Sequence, residues 1–475
     1  MTVKVRKQNE RVTRIAILGG GPGGYEAALV AAQLGAEVVI VERDGIGGAC
    51  VLADCVPSKT LIATSESIAA LEGSEALGVR PRGGGTATDH VVVDASVVYH
   101  RVKALAAAQS ADIGRRVAGE GVRIVRGTGR FAGPGRIEIA GPDGLEELAT
   151  DVVLISTGAS PRVLPGAEPD GERILNWQQV YDLPSLPEHL VVVGSGVTGA
   201  EFASAYLALG SDVTLVSSRD RVMPSEDEDA ALLIEEVFTR RGMQIMKQAR
   251  AAGVRRTADG VEVELRDGRT VQGSHCLVTV GSVPNTAELA LDRVGVATDE
   301  AGYVKVDRVS RTNVQGVYAA GDCTGLLLLA SVAAMQGRTA MWHALGDAVL
   351  PLRLATVAAN VFTDPEIATV GLPAVEASAD RYGVREVKLP LATNARAKMQ
   401  GIEDGFVKLY CRPGTGIVLG GVVVAPRASE LILPVSMAVQ HGLTVDQLSH
   451  TFTIYPSISG SITEAARQLH RAVQD

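Results

Sequence analysis

Short, unbroken apolar runs mark the beginning of the chain. Residues 14–18 and 37–41 are mostly aliphatic, as expected of strands buried on both faces of a parallel sheet. A glycine-rich turn follows the first run and leads into a segment from Tyr25 to Leu34 that is typical of a helix. The order strand, helix, strand predicts a βαβ unit.

The turn of this unit carries three glycines at the spacing G-x-G-x-x-G, namely Gly19, Gly21 and Gly24. Glycines there let the backbone approach a pyrophosphate at the positive end of a helix. Glu42 follows the second strand, where a carboxylate accepts hydrogen bonds from a ribose diol. Because strands, glycines and carboxylate are in register, the unit is predicted to bind a dinucleotide.

The same pattern returns about 175 residues later. An apolar run at 190–193 leads into Gly194, Gly196 and Gly199, and a second run follows at 212–216. A purely architectural Rossmann unit is the alternative, but it does not explain three glycines at these spacings. The sequence therefore predicts two dinucleotide sites in one chain.

The second site ends in Ser217, Ser218 and Arg219, where a carboxylate would select the free ribose 2′-hydroxyl of NAD. Two hydroxyls and a guanidinium can instead bind a 2′-phosphate. The alternative is that Arg219 is simply solvated. We therefore predict that this site binds NAD(P)H, with NADPH accepted.

Composition limits the class of protein. At 475 residues the chain exceeds one hydrophobic core, so about three domains are expected. The net charge of −9 and the scattered arginines argue against a nucleic-acid partner. No apolar run approaches the roughly 20 residues that cross a bilayer, so we expect no transmembrane segment and a cytoplasmic location. We predict no metal site, and Cys276, Cys323 and Cys411 are interpreted as buried, inert thiols.

The remaining cysteines, Cys50 and Cys55, lie five positions apart, which suggests a redox-active disulfide. The segment from Cys50 to Lys59 resembles the Cys-x4-Cys-x-Pro-Ser-Lys active site of the FAD-dependent pyridine nucleotide-disulfide oxidoreductases. This resemblance implies an α/β fold, with two Rossmann-like dinucleotide-binding domains and a C-terminal α+β dimerisation domain. It also implies that FAD and NAD(P)H are the cofactors.

The resemblance divides the chain into four segments. These are the first part of the FAD-binding domain (1–157), the NAD(P)-binding domain (158–283), the return to the FAD or central domain (284–349) and the dimerisation domain (350–475). It further implies a homodimer in which each C-terminal domain completes the active site of its partner.

Several residues match motifs of that family. Thr157 and Gly158 resemble the crossing into the NAD(P) domain, and Gly281 resembles the return. Gly321 and Asp322 resemble the second FAD motif. The resemblance implies that Asp322 bonds the ribityl chain, while a role as helix N-cap stays open.

The resemblance also assigns roles around the flavin. Cys55 would lie against the flavin and Cys50 would be the outer, exchanging thiol, although two nearby thiols without a disulfide remain an alternative. Asp54 replaces a glycine common in relatives and should oppose thiolate formation at Cys55. Lys59 and Glu201 match an ion pair below the flavin N5, where a cation stabilises the anionic reduced form, though either alone could be a surface charge.

The other half of the family's chemistry is missing. Tyr455 stands where such disulfide reductases have a histidine base, and a tyrosine that titrates near pH 10 cannot replace it. Gly460 stands where they have the orienting glutamate, with Glu464 four positions further on as a shifted remnant or an ordinary helical acid. His450 and His470 lack the spacing to substitute and are interpreted as structural.

The leading hypothesis is therefore an NAD(P)H dehydrogenase that passes electrons through FAD to a quinone-type small-molecule acceptor. The pattern looks most like the quinone-reducing branch of the family. One alternative is a disulfide reductase such as dihydrolipoamide dehydrogenase, working through Cys50 and Cys55. A soluble transhydrogenase also stays open, because tyrosine replaces the histidine there too, as in mercuric reductases. A non-catalytic flavin redox sensor is the alternative of a different class.

Overall fold

The computed structural model describes residues 12–82, 84–86, 88–89, 91–371 and 383–473. The chain forms two compact units. The first combines residues up to Pro57 with Val102–Arg162 and Gly281–Leu352, and the second combines Ser58–Arg101, Val163–Val280 and residues from Arg353 onward.

The first unit is built on a five-stranded parallel sheet. In spatial order its strands are β18 (Val317–Ala319), β7 (Val152–Ile155), β1 (Arg14–Leu18), β2 (Glu37–Glu42) and β3 (Arg123–Arg126). Ile15 and Ile17 pack into a cluster on one face of the sheet, whereas Ala16 and Leu18 pack into another cluster. Burial on both faces explains why the first strand is apolar without alternation.

Two smaller sheets and several helices complete this unit. An antiparallel sheet contains β4 (Thr128–Gly133), β5 (Arg136–Gly141) and β6 (Gly144–Ala149), and a ribbon pairs β8 (Ala159–Pro161) with β17 (Ser282–Pro284). The helices that lie wholly in the unit are α1 (Pro22–Gln33), α2 (Gly48–Leu52) and α7 (Ala330–Ala344), and α3 (Cys55–Gly73) and α4 (Ala95–Gly119) have residues in both units. A Cβ on Gly337 of α7 would lie 2.1 Å from the carbonyl oxygen of Gly23 in α1, so glycine is required for these helices to pack this closely.

The second unit repeats the Rossmann pattern. Its parallel sheet has the order β12 (Gln244–Met246), β11 (Asp212–Val216), β10 (His189–Val193), β16 (His275–Val278) and β9 (Ile174–Leu175). The helices α5 (Val197–Ala208) and α6 (Glu228–Arg240) accompany it, with an antiparallel sheet of β13 (Ala251–Arg256), β14 (Val261–Leu265) and β15 (Thr270–Gly273).

The C-terminal part of the second unit is α+β. Its antiparallel sheet has the order β19 (Ala358–Val361), β20 (Glu366–Gly371), β23 (Val418–Ala425), β22 (Phe406–Cys411) and β21 (Arg385–Pro390). Helices α8 (Ala395–Gln400), α9 (Ala428–Leu431), α10 (Leu433–His441), α11 (Val445–Ser449) and α12 (Gly460–Val473) belong to the same part. Short 3-10 helices occupy Ser74–Leu77, Val180–Asp182, Ala287–Leu289, Leu291–Arg293, Asp322–Thr324, Leu354–Thr356 and Leu391–Thr393.

The predicted α/β class is confirmed, with two Rossmann-like sheets followed by an antiparallel sheet and helices. The four predicted domain boundaries stay a prediction. None of the described helices is long and apolar enough to cross a membrane.

Candidate functional site

The first glycine turn is shaped for close backbone approach. Gly19 has a φ of +105°, and a Cβ on Gly24 would lie 1.9 Å from the carbonyl oxygen of Gly19. A Cβ on Gly21 would meet nothing nearer than the carbonyl oxygen of Gly47, at 4.0 Å. The helix starts at Pro22 without a side-chain cap, which leaves its N-terminal N–H groups directed at this opening. The turn therefore fits a pyrophosphate.

The carboxylate of Glu42 is fixed beside this turn. It accepts hydrogen bonds from the backbone N–H groups of Gly20 at 2.6 Å, Asp44 at 2.7 Å and Gly45 at 3.3 Å. These bonds hold the carboxylate at the end of the second strand, where a ribose diol of a dinucleotide would meet it.

Other polar groups of the first unit fit the rest of a flavin dinucleotide. The hydroxyl of Thr157 is buried and has no hydrogen-bond partner among the residues that the structure describes. Burial, together with the charge of Asp54, raises the pKa of Asp322 to about 6. A buried hydroxyl and a desolvated carboxyl of this kind both gain from a polar ligand. This agreement supports the interpretation that FAD binds in the first unit.

Glycines shape the backbone around these groups. Gly158, Gly281 and Gly321 have φ values of +67°, +96° and +86°, a region that favours glycine. The side-chain amide of Asn285 donates to the carbonyl of Thr157 at 3.0 Å. This contact fixes the crossing that the sequence places at residues 157 and 158.

The two motif cysteines lie on neighbouring helices. Cys50 is in α2, and Cys55 is the first residue of α3. The helix α3 includes Pro57, because proline is tolerated in a first helical turn. Both residues are half-buried, and the predicted disulfide between them stays a prediction. A helix N-terminus favours the thiolate of Cys55.

The other three cysteines are buried thiols, as predicted. Burial raises the pKa of Cys276, Cys323 and Cys411, and that of Cys323 reaches about 12. Such thiols are inert at neutral pH.

The second glycine turn repeats the first. Gly194 has a φ of +113°, and a Cβ there would lie 2.4 Å from the carbonyl oxygen of Thr279. A Cβ on Gly199 would lie 1.9 Å from the carbonyl oxygen of Gly194. By contrast, a Cβ on Gly196 would meet no described atom within 4 Å, so it borders open space at the start of α5. The turn therefore fits a second pyrophosphate.

The three residues predicted to contact a 2′-phosphate fall into two groups. Ser217 is fully buried, where its oxygen accepts a hydrogen bond from the Ser195 hydroxyl at 2.7 Å and another from the backbone N–H of Arg219 at 3.1 Å. Ser218 and the Arg219 side chain are exposed. Sequence reasoning missed Ser195, which holds Ser217 within the turn. The predicted contact of Ser217, Ser218 and Arg219 with a 2′-phosphate stays a prediction, and of the three Ser218 and Arg219 are exposed.

The ion pair expected from the sequence is present in the second unit. Lys59 Nζ lies 2.7 Å from Glu201 Oε2, with side-chain exposures of 30% and 5%. Sequence reasoning missed Phe362, whose backbone N–H donates to Glu201 Oε1 at 2.9 Å and whose ring centroid lies 4.8 Å from Lys59 Nζ. No local signal could have found it, because Phe362 lies about 300 residues from Lys59 in the sequence.

The histidine base and the orienting glutamate of disulfide reductases together form a dyad. Tyr455 and Glu464, which stand in or near these two positions, have different surroundings here. The Tyr455 side chain is 86% exposed. Helix α12 begins at Gly460, which puts Glu464 one turn further along, as expected. There Glu464 accepts hydrogen bonds from Arg467 Nε at 2.7 Å and from Gln468 at 3.0 Å. Bonds within its own helix support the interpretation of Glu464 as an ordinary helical acid.

The two nearby histidines contact each other. The rings of His450 and His470 are 6.3 Å apart in an edge-to-face arrangement. Asp446 joins them, because its carboxylate contacts His470 Nδ1 and its backbone carbonyl lies 2.7 Å from His450 Nδ1. Their contacts with α11 and α12 agree with a structural role.

Comparison with known proteins identifies the family. The protein-family model described as pyridine nucleotide-disulphide oxidoreductase matches residues 13–337 of this chain. The chain belongs to this family. Proteins of the family use FAD and NAD(P)H. The family's dimerisation domain matches residues 357–466, which supports the predicted homodimer.

Individual relatives cover nearly the whole chain. An NAD(P)H dehydrogenase (quinone) from Mycobacterium tuberculosis is 57% identical over 96% of this chain and 94% of its own. Dihydrolipoyl dehydrogenase 2 of Haloarcula marismortui is 33% identical over 96% of both chains. The crystal structure of LpdA from Mycobacterium tuberculosis, 57% identical, matches with a TM-score of 0.91 over 96% of this chain and all of that one.

Proposed function

We propose that this oxidoreductase oxidises NAD(P)H and passes the electrons through FAD to a quinone-type small molecule. The main support for this proposal is that the histidine base and its orienting glutamate are both replaced. Tyr455 stands in the histidine position, and Glu464 is bonded within its own helix. Thiol-disulfide exchange needs a base near neutral pH, whereas quinone reduction does not need one from this dyad. The name of the 57% identical relative agrees with this choice of acceptor.

The overall reaction is balanced without a disulfide substrate. NAD(P)H gives up a hydride, and with one solvent proton this reduces the quinone to its hydroquinone. Bound FAD supplies the hydride acceptor and the electron donor. The residues of the chain bind and orient the reactants: the two glycine turns hold the pyrophosphates, and Glu42 holds a ribose.

Lys59 provides the positive charge of this machinery. It lies four residues after Cys55 in the same helix, so the two share one helical face. We propose that this face meets the flavin. A fixed cation there favours reduced, anionic flavin, and Glu201 keeps Lys59 in place.

NADPH is proposed as an accepted electron donor alongside NADH. The rim of the second glycine turn exposes Ser218 and Arg219. No carboxylate lies at 217–219 to repel a 2′-phosphate, and the first carboxylate after these positions is Asp220. Arg219 offers a charged, forked donor to such a phosphate.

We also propose that the enzyme acts as a homodimer, in which the dimerisation domain of one subunit completes the active site of the other, and that it works in the cytoplasm. The predicted domain division, with an NAD(P) domain inserted between two FAD segments, belongs to this picture.

A disulfide reductase is the second candidate, because Cys50 and Cys55 are present and half-buried on adjacent helices. The experiment that separates the two compares steady-state oxidation of NADH and NADPH with a benzoquinone, lipoamide and glutathione disulfide. We expect the quinone rate to exceed both disulfide rates by more than tenfold. A lipoamide rate within tenfold of the quinone rate would contradict the proposal. Multiple turnovers with the quinone exclude the redox-sensor alternative.

Tyr455→His is the matched variant for this comparison. If loss of the base explains weak disulfide turnover, histidine at this position raises the lipoamide rate and leaves the quinone rate unchanged. An unaltered lipoamide rate would show that the tyrosine is not the reason.

A further inference from the structure

Phe362 contacts both members of the ion pair. Its backbone N–H donates to Glu201 Oε1 at 2.9 Å, while the other carboxylate oxygen, Oε2, lies 2.7 Å from Lys59 Nζ. The Phe362 ring covers the ammonium at 4.8 Å. An ammonium at this distance from a ring face is attracted by the ring's quadrupole. One residue thus contacts the buried anion and the cation together.

The position of Phe362 is fixed by its surroundings. It follows β19 in the turn that leads to β20, and this turn is anchored on α5 and on the residue that follows α6 in the same unit. The backbone N–H of Asp364 lies 3.3 Å from the Ser204 hydroxyl in α5, and the Asp364 carboxylate pairs with Arg241 at 2.9 Å. Ser204 lies three residues after Glu201, so one helix supports both ends of the arrangement. The ring is therefore held by structure around it.

The ring also limits where the ammonium can go. The Lys59 side chain is 30% exposed, and a lysine on a four-carbon stem has many rotamers of similar energy. A salt bridge alone fixes the distance to the carboxylate but not the direction of the stem. The Phe362 ring excludes the Lys59 rotamers that would place the side chain in the space that the ring occupies.

We infer that Phe362 is a positioning residue, which holds the Lys59 ammonium in the orientation that favours flavin reduction. This inference rests on the proposed function only in assigning Lys59 to the flavin. It links the dimerisation domain, which contributes Phe362, to the reductive half of the reaction.

The test is the single-turnover rate of flavin reduction by NADPH in the anaerobic holoenzyme, together with the flavin midpoint potential. Phe362→Leu keeps the backbone N–H and an apolar side chain but removes the ring. We expect the rate to fall about three- to tenfold, as for loss of a partly exposed cation–π contact. A tenfold shift in the flavin equilibrium lowers the potential by about 30 mV for two electrons. Phe362→Trp, which keeps an aromatic face, should stay within twofold of the native rate.

Phe406→Leu is the matched control, because Phe406 also lies under lysines, 5.2 Å from Lys388 Nζ and 5.7 Å from Lys408 Nζ, in the same sheet. Phe406→Leu is expected to change the stability of the protein without changing the midpoint potential of the flavin. If Phe362→Leu does not fold, Phe362→Met serves the same purpose. Native rate and potential in the Leu or Met variant would overturn the inference.

A double-mutant cycle with Lys59→Met shows whether the effect passes through Lys59. We expect Phe362→Leu to have no further effect on the rate once Lys59 is replaced, and an undiminished effect would contradict the inference. The assay contains no quinone. A failure of the proposed acceptor would therefore appear in turnover with quinone, while a failure of this inference would appear in flavin reduction.

Discussion

The two glycine turns of this chain share three glycines and differ in the residue that follows the second strand. In both, the third glycine of the motif would place a Cβ 1.9 Å from the carbonyl oxygen of the first, Gly19 or Gly194. In both, two parallel strands pair up to the residue before the one that differs. Leu18 pairs with Val41 in the first turn, and Val193 pairs with Val216 in the second. The two turns therefore share the backbone geometry that lets a phosphate come close.

The residues that follow the second strands are Glu42 and Ser217. The Glu42 carboxylate accepts the N–H of Gly20 at 2.6 Å, while the buried Ser217 hydroxyl accepts a bond from Ser195, the equivalent of Gly20, at 2.7 Å. The first turn thus presents a charge to a ribose diol, and the second leaves that place neutral. In Rossmann units the glycines admit the pyrophosphate and the residue after the second strand contacts the ribose. We therefore expect the two turns to differ in the ribose that they accept.

The largest effects should come from the shared glycines. In Gly24→Ala the new methyl would overlap backbone, which cannot move away, and we expect FAD affinity to fall by roughly a hundredfold, or about 3 kcal/mol. Gly199→Ala should keep FAD and lose flavin reduction by NADPH to a similar degree. Flavin absorbance of the purified variants and stopped-flow reduction measure the two losses. Gly114→Ala, with no atom within 4 Å, is the control, and flavin-replete Gly24→Ala would refute the close approach.

The second change converts one turn into the other. The double variant Ser195→Gly with Ser217→Glu gives the second site the equivalents of Gly20 and Glu42 of the first. A carboxylate facing a 2′-phosphate should lower kcat/KM for NADPH relative to NADH by roughly 30-fold, or about 2 kcal/mol. Ser195→Ala alone removes only the bond to Ser217 and should leave the ratio unchanged. An unchanged ratio in the double variant would show that position 217 does not select the ribose.

A smaller effect is expected at the exposed rim. Arg219→Ala should raise the KM for NADPH about tenfold and leave that for NADH unaltered, because one charge-assisted contact contributes roughly 1.5 kcal/mol. The control is Arg43→Ala, since Arg43 is an exposed arginine beside Glu42 at the other turn. Equal KM changes for both nucleotides would argue that Arg219 has no role in phosphate recognition.

The smallest effect concerns pH and the flavin-free protein. Burial and the Asp54 charge raise the pKa of Asp322 to about 6, above its unfolded value of about 3.9. The folded state therefore holds a proton that the unfolded state releases, and stability is lost as pH rises from about 4 to about 6, by at most roughly 3 kcal/mol. Denaturant unfolding across this range should show the loss, and Asp322→Asn should remove it. The same slope in the Asn variant would assign it to another group.

Much of this arrangement could be predicted from local sequence. The bounds of β1 and β11 agree with expectation, because their apolar runs are bounded by turns or polar residues. Helix α1 begins at Pro22 and not at the predicted Tyr25, since Gly and Pro are poor helix formers in general but are accepted in a first turn.

The parts that could not be predicted depend on residues distant in sequence. Ser217 is buried because Ser195, on the neighbouring turn, supplies its hydrogen bond. Phe362 contacts Lys59 and Glu201 only because the fold brings three separate segments together. Neither pattern leaves a periodic or motif signal in the chain.

We propose that electrons leave the flavin for a quinone without help from the thiol pair. The most direct test is anaerobic reduction of the Cys50→Ser, Cys55→Ser double variant by NADPH, followed by mixing with a benzoquinone and measurement of flavin reoxidation. We expect reoxidation within twofold of the native rate, with lipoamide turnover abolished. A loss of quinone-driven reoxidation of tenfold or more, with FAD still bound, would contradict it.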